Sequence, residues 1–181
     1  MPPAEFPVSR WPDWDPRRLA RDLAEVREFA PELEYLPPTE DGLRNGGWRG
    51  LLPLWPFARP EPEAVRDVIG APLQVVVVYS SAHPVIAPDV YAVDPEPGLL
   101  EESNAAWHVA PGGALCLLQS EGGWIPEASV VDLLLKACGW HLEYALMQAR
   151  AITRMTVNGI VTDASLDAMF ARAARSKGGG S

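Results

Sequence analysis

The chain has 181 residues, with 15 lysines and arginines against 24 aspartates and glutamates, a formal net charge of −9 at pH 7 and a pI near 4.8. That length fits one domain with a substantial core, and the acidic balance argues against a nucleic-acid partner, because little basic surface is present to release phosphate counterions. Two distant cysteines and three histidines without metal-ligand spacing argue against a disulfide scaffold and against a metal site.

The opening Met1-Pro2-Pro3-Ala4-Glu5 lacks a basic region followed by an apolar one, and no apolar run is long enough for a bilayer, which predicts a soluble, cytoplasmic protein. Asp15 before Pro16 reads as an N-cap with proline at the first helical position. Leu19, Leu23, Val26 and Ala30 then recur at helical spacing, so a first helix is expected over 16–30, ending before Pro31. Strands are expected over 33–36, 47–54, 73–79 and 89–93, separated by turns rich in proline and glycine. The third, from Leu73 to Tyr79, is β-branched and nearly continuous, which predicts a central strand covered on both faces. A short helix is expected over 62–68. Ser129 ahead of Val130-Val131, with Asp132 three residues on, reads as a capping box. Leu133, Leu134, Leu135, Ala137, Trp140, Leu142 and Leu146 make the helix it opens apolar on most of its circumference, as a buried central helix should be. A last helix, capped at Thr162 or Asp163, presents Leu166, Met169, Phe170 and Ala173. The expected class is α+β: an N-terminal helix, a four-stranded antiparallel meander, a site loop, then central and C-terminal helices packed on the sheet. It occupies 1–176, and 177–181 reads as a flexible linker or tag remnant.

Chemistry concentrates between Trp107-His108 and Trp124-Ile125-Pro126. Gly112-Gly113 frees the backbone to turn, Cys116 follows on a short apolar segment, and the polar stretch 119–123 leads to the Trp-x-Pro turn. A cysteine thiolate is both a good nucleophile and a good leaving group, so Cys116 suits acyl carriage by thioester exchange. Its other readings are a small buried hydrophobe, or the nucleophile of a hydrolase for which His108 would be the base. Arg17, Arg18 and Arg21 open the first helix, where cations oppose the helix dipole, which points to a role other than helix stability.

In this order the landmarks resemble the ubiquitin-conjugating enzymes, whose cysteine follows His-Pro-Asn and precedes Trp-x-Pro and a central helix. His83-Pro84-Val85-Ile86-Ala87-Pro88 is similar to that family's Tyr-Pro-x-x-Pro-Pro loop with His in place of Tyr, and Cys138 falls where many members carry a second, buried cysteine. The resemblance implies that family's fold. It also implies a protein that takes a ubiquitin-like modifier from an activating enzyme onto Cys116 as a thioester and passes it to an amine on a target protein. No cofactor is implied, since the activating enzyme spends the ATP. Supporting roles fall to His108, Trp124 and Pro126, with His108 bracing the loop rather than acting as a base. Arg17, Arg18 and Arg21 would meet the activating enzyme, and Val85 and Ile125 a ligase. Two departures stand out: His108-Val109-Ala110 lacks the family's Asn, and about ten residues over 96–105 are inserted. Asn104 or an N–H of the Gly112-Gly113 turn is the candidate substitute for the missing amide, a donor whose loss can cost a few kcal/mol of barrier. Such departures mark a divergent bacterial relative, and bacterial systems of this kind imply an operon with modifier and activating enzyme, acting in antiphage defence. The alternatives are a catalytically silent modifier-binding scaffold and a hydrolase of a small acyl substrate.

Overall fold

A computed structural model describes residues 10–39, 42–102, 104–118 and 123–178. Its four strands, β1 (Leu33–Leu36), β2 (Gly47–Leu51), β3 (Gln74–Val78) and β4 (Asp89–Asp94), pair antiparallel in chain order, the meander expected from the turn-separated apolar runs. β2 is shorter than its apolar pattern suggests. Leu52 still donates its N–H to the Leu73 carbonyl at 2.9 Å, but Pro53 has no N–H to continue the ladder.

β3 corrects a second expectation. Val75 and Val77 are buried while Gln74, Val76 and Val78 are half-buried, so one face of the strand is sealed and the other is partly open. The valine run reflects β propensity at every position, whereas burial follows the strand's period of two. On the sealed side Val77 stands opposite Trp48 and Val90, and these pack with Leu133, Leu134, Ala137, Trp140 and Leu146 of the long helix α5 (Val130–Gln148).

The other helices are α1 (Trp11–Trp14), α2 (Pro16–Phe29), α3 (Val65–Val68), α4 (Leu99–Glu102) and α6 (Asp167–Gly178). Asp15 caps α2 by accepting the Arg18 N–H at 3.0 Å, and Ser129 caps α5 by accepting the Val131 N–H at 3.1 Å. The Ser129 hydroxyl in turn donates to Glu25 at 2.5 Å, pinning the start of α5 to α2. α1 escaped the sequence reading because a four-residue helix has no period to recognise. Trp11 nevertheless anchors it, fully buried, with its indole donating to the Asn45 carbonyl at 2.8 Å. α4 is tied to α5 through Glu101, which accepts from Tyr144 at 2.9 Å and Gln148 at 2.6 Å. Lys177 and Gly178, assigned above to the tail, belong to α6, and 179–181 lie outside the described residues. Among the described residues no helix is long and apolar enough to cross a membrane.

Candidate functional site

Cys116 is positioned by a short backbone lattice. Gly112 and Gly113 take φ of +96° and +87°, values that disfavour a side chain, and close a tight turn in which Gly113 donates to Ala110 at 2.9 Å and Ala110 to Ala114 at 2.8 Å. Leu115 then donates to the Val90 carbonyl at 2.8 Å, attaching the segment to β4, and Cys116 donates its N–H to the His108 carbonyl at 2.8 Å. The side chain is half-buried, and that burial pushes the thiol pKa up from its ordinary value. Cys138 differs: buried on α5, it donates its S–H to the Pro53 carbonyl at 3.6 Å and is pushed up to about 12.

The segment before Cys116 is braced from α5. His108 sits at a left-handed φ of +51° closing the 3-10 turn over Ala105–Trp107, and its Nε2 lies 3.2 Å from the Thr156 carbonyl. A carbonyl only accepts, so Nε2 carries the proton and donates. Thr156 is held in turn by fully buried Glu143, which accepts its N–H and its hydroxyl at 2.6 Å each. Gly159, at φ +60°, lies against the His108 ring, where any Cβ would collide. The Trp140 indole adds a bond to the Trp107 carbonyl at 2.9 Å.

The segment after Cys116 is braced from α2. Fully buried Asp22 accepts from Arg18 Nε at 2.7 Å, from the Tyr79 hydroxyl at 2.9 Å and, at 3.2 Å, faces His83 Nε2. Burial first, then the Asp22 charge, raises the Tyr79 pKa well above the ordinary phenol value, so Tyr79 stays a donor. Arg18 uses its remaining donors on the Pro126 carbonyl and, at 2.7 Å, the Ala128 carbonyl, while Arg21 reaches the Glu127 carbonyl at 2.8 Å. The Trp124 indole donates to the Pro84 carbonyl at 2.8 Å, and the Arg18 guanidinium lies 5.8 Å from its ring centre.

These braces frame an open groove of about 470 Å³, lined by Val85, Ile86, Ala114, Cys116, Leu118 and Trp124 among others. Val85 and Ile125 are 66% and 54% exposed, and Trp124 is half-buried with Pro126 exposed beside it. The groove's lining around the thiol is mostly apolar.

Arg18 corrects the reading of the arginine cluster. At 6% exposure its charge is spent on Asp22 and on the 126–128 carbonyls, so it offers nothing to a partner; Arg17 is exposed and Arg21 half-buried. Asn104 accepts the Ala106 N–H at 3.0 Å through its carbonyl oxygen, a bond that fixes the side chain without using its amide donors, and the Gly113 N–H serves the turn. Most of the polar stretch after the apolar segment, 119–122, lies outside the described residues. His83, which opens the loop to Pro88, is fully buried. Asp22, Glu143 and Thr156 were missed, although Glu143 interrupts an otherwise apolar helical face between Trp140 and Leu146, a signal visible in the sequence. Among the described residues no group of three His, Cys, Asp or Glu could hold a metal ion. Compared with known protein families, characterised proteins and solved structures, the chain has no match.

Proposed function

We propose that the chain is a ubiquitin-conjugating-enzyme-like carrier that accepts a ubiquitin-like modifier on Cys116 and transfers it to an amine of a target protein, in a bacterial antiphage conjugation system. The observation that carries this reading is the setting of Cys116: a half-buried thiol on an open groove, on a loop fixed from both sides. The Cys116 thiol gives up its proton to solvent and its sulfur attacks the modifier's thioester carbonyl on the activating enzyme; the C–S bond to that enzyme breaks, and its thiolate leaves and takes a proton from solvent. An amine then attacks the carbonyl carbon of the new thioester, the C–S bond breaks, the Cys116 thiolate departs, and the amine's proton passes to solvent. Burial holds the Cys116 thiol above its ordinary pKa, so less of it is thiolate at neutral pH, while the thiolate that does form is the more nucleophilic for it. The donation of His108 Nε2–H to Thr156 supports a bracing role over that of the base a hydrolase would need. Arg17, exposed, remains as a contact for the activating enzyme, and half-buried Arg21 only beside its pairing with Glu25 at 2.8 Å, with Val85 and Ile125 as contacts for a ligase.

The test supplies the protein with ATP and with the ubiquitin-like protein and activating enzyme encoded beside its gene, and reads adducts on non-reducing gels. A reductant-sensitive adduct is expected, lost in Cys116→Ala and kept in Cys138→Ala. Loss in Cys138→Ala alone overturns the site. Absence of any adduct from a folded, alkylatable protein points instead to the silent scaffold.

A further inference from the structure

A second cavity, of about 320 Å³, lies between the far end of β4 and the C-terminal half of α5, where Ile69, Pro72, Asp94, His141, Tyr144 and Gln148 line it. It is separate from the Cys116 groove. Val90 bonds the Cys116 segment, whereas Asp94 stands four residues, about 13 Å, further along the same strand. His141, Tyr144, Ala145 and Gln148 follow the three- and four-residue spacing of one helix face, so α5 presents a single continuous wall.

The polar groups of this wall are unevenly employed. Tyr144 donates to Glu101 Oε2 at 2.9 Å, and Gln148 donates to Glu101 Oε1 at 2.6 Å and to the Tyr144 hydroxyl at 3.0 Å, so their donors are used and their positions fixed. His141 is 6% exposed, and its ring nitrogens, which make no hydrogen bond to the described residues, are not among the buried unpartnered atoms, so they open onto the solvent of the cavity. Burial lowers the His141 pKa from 6.5 to about 4, so at neutral pH one ring nitrogen is an acceptor. Asp94, exposed at the rim, has no ion-pair partner among the described residues. What the cavity offers a ligand is therefore a carboxylate and an imidazole nitrogen above apolar walls.

We propose that this cavity binds a small organic cation, its amidinium or ammonium group toward Asp94 and His141 and its apolar body against Ile69 and Pro72. The volume accommodates one aromatic ring with a short substituent, near the lower end of ordinary ligand sites. An anionic ligand would meet Asp94 with like charge, and a neutral one would forgo the ion pair.

The experiment titrates the full-length protein with benzamidinium, followed by amide NMR, with benzyl alcohol and benzoate as neutral and anionic counterparts. Saturable shifts at Gly70, Ala71, Ala145 and Gln148 are expected, with a millimolar or tighter Kd for a ligand of this size. Asp94→Asn, a surface change that leaves the core untouched, should weaken benzamidinium about fivefold, the equivalent of one partly exposed charge pair. Benzyl alcohol should bind more weakly by a similar factor, and benzoate not at all. Shifts that fail to saturate, equal binding of benzoate, or undiminished binding by Asp94→Asn would overturn the proposal.

Discussion

Asp22 on α2 and Glu143 on α5 are both fully buried carboxylates, and each fixes one of the segments flanking Cys116, yet they are satisfied by different means. Asp22 is met by a cation, Arg18, together with Tyr79 and His83, and the same cation continues to the carbonyls of Pro126 and Ala128. Glu143 is met by the N–H and hydroxyl of a single residue, Thr156, whose own carbonyl receives His108. The first arrangement distributes one buried charge pair over four segments of chain. The second is a local clasp. Removing one partner of a buried pair strands a charge, whereas removing a hydrogen-bond acceptor strands neutral donors, so the two braces should fail with different severity.

The largest effect is expected for Asp22→Ala, which leaves the Arg18 guanidinium buried without its counter-ion. A loss of about 3–5 kcal/mol in urea denaturation follows from that uncompensated charge. Adding Arg18→Met should recover much of it, since an apolar pair of similar volume carries no desolvation cost. A loss under about 1 kcal/mol for Asp22→Ala would mean that Arg18 is served by the backbone carbonyls alone, and the contrast with Glu143 would disappear.

Another buried ionisable group, His141, lies two residues before Glu143 and sharpens the comparison because burial leaves it neutral. Its pKa falls from 6.5 to about 4 on folding, chiefly through desolvation. Between those values the unfolded chain binds the proton and the folded chain does not. Stability should therefore be unaffected by this group above pH 6.5 and decline as pH falls toward 4, by about 3 kcal/mol in all. His141→Leu should remove that part of the acid limb while leaving the carboxylate part. Parallel stability curves for the two proteins between pH 4 and 6.5 would show that the imidazole titrates without hindrance.

The sequence exposes these braces unequally. The meander, α2, α5 and the capping residues Asp15 and Ser129 follow from periodicity and local chemistry, because each signal lies within a few residues of its effect. Arg18 illustrates the opposite case. From sequence it is one of three cations misplaced at a helix N-terminus, and its true partners are four residues away on the helix and more than a hundred residues away at 126–128. The bond from Thr156 to His108 is equally silent in sequence, since it joins a backbone carbonyl, available at any residue, to a ring 48 positions away. Cys116 could be singled out by its order relative to Trp124 and Pro126, but its raised pKa depends on packing that only the folded chain supplies.

The smallest of the three effects is expected for Glu143→Gln. The substituted amide keeps the shape of the side chain and one oxygen, which can continue to accept the Thr156 N–H. The Thr156 hydroxyl can rotate to accept from the new amide nitrogen, so the clasp is rearranged rather than broken. The charge-assisted character of two 2.6 Å bonds is lost, and a destabilisation of about 1–2 kcal/mol is expected, well below that of Asp22→Ala. Its distinguishing consequence is local. With Thr156 less firmly held, the carbonyl that receives His108 gains freedom, and the Cys116 N–H is bonded to the His108 carbonyl. Iodoacetamide labelling of Cys116 should then change rate in Glu143→Gln under conditions where the protein remains folded, and amide exchange over 156–159 should quicken. An unchanged labelling rate together with unchanged exchange would reduce Glu143 to a packing residue, and equal destabilisation by the two substitutions would erase the distinction between the ion-paired brace and the clasp.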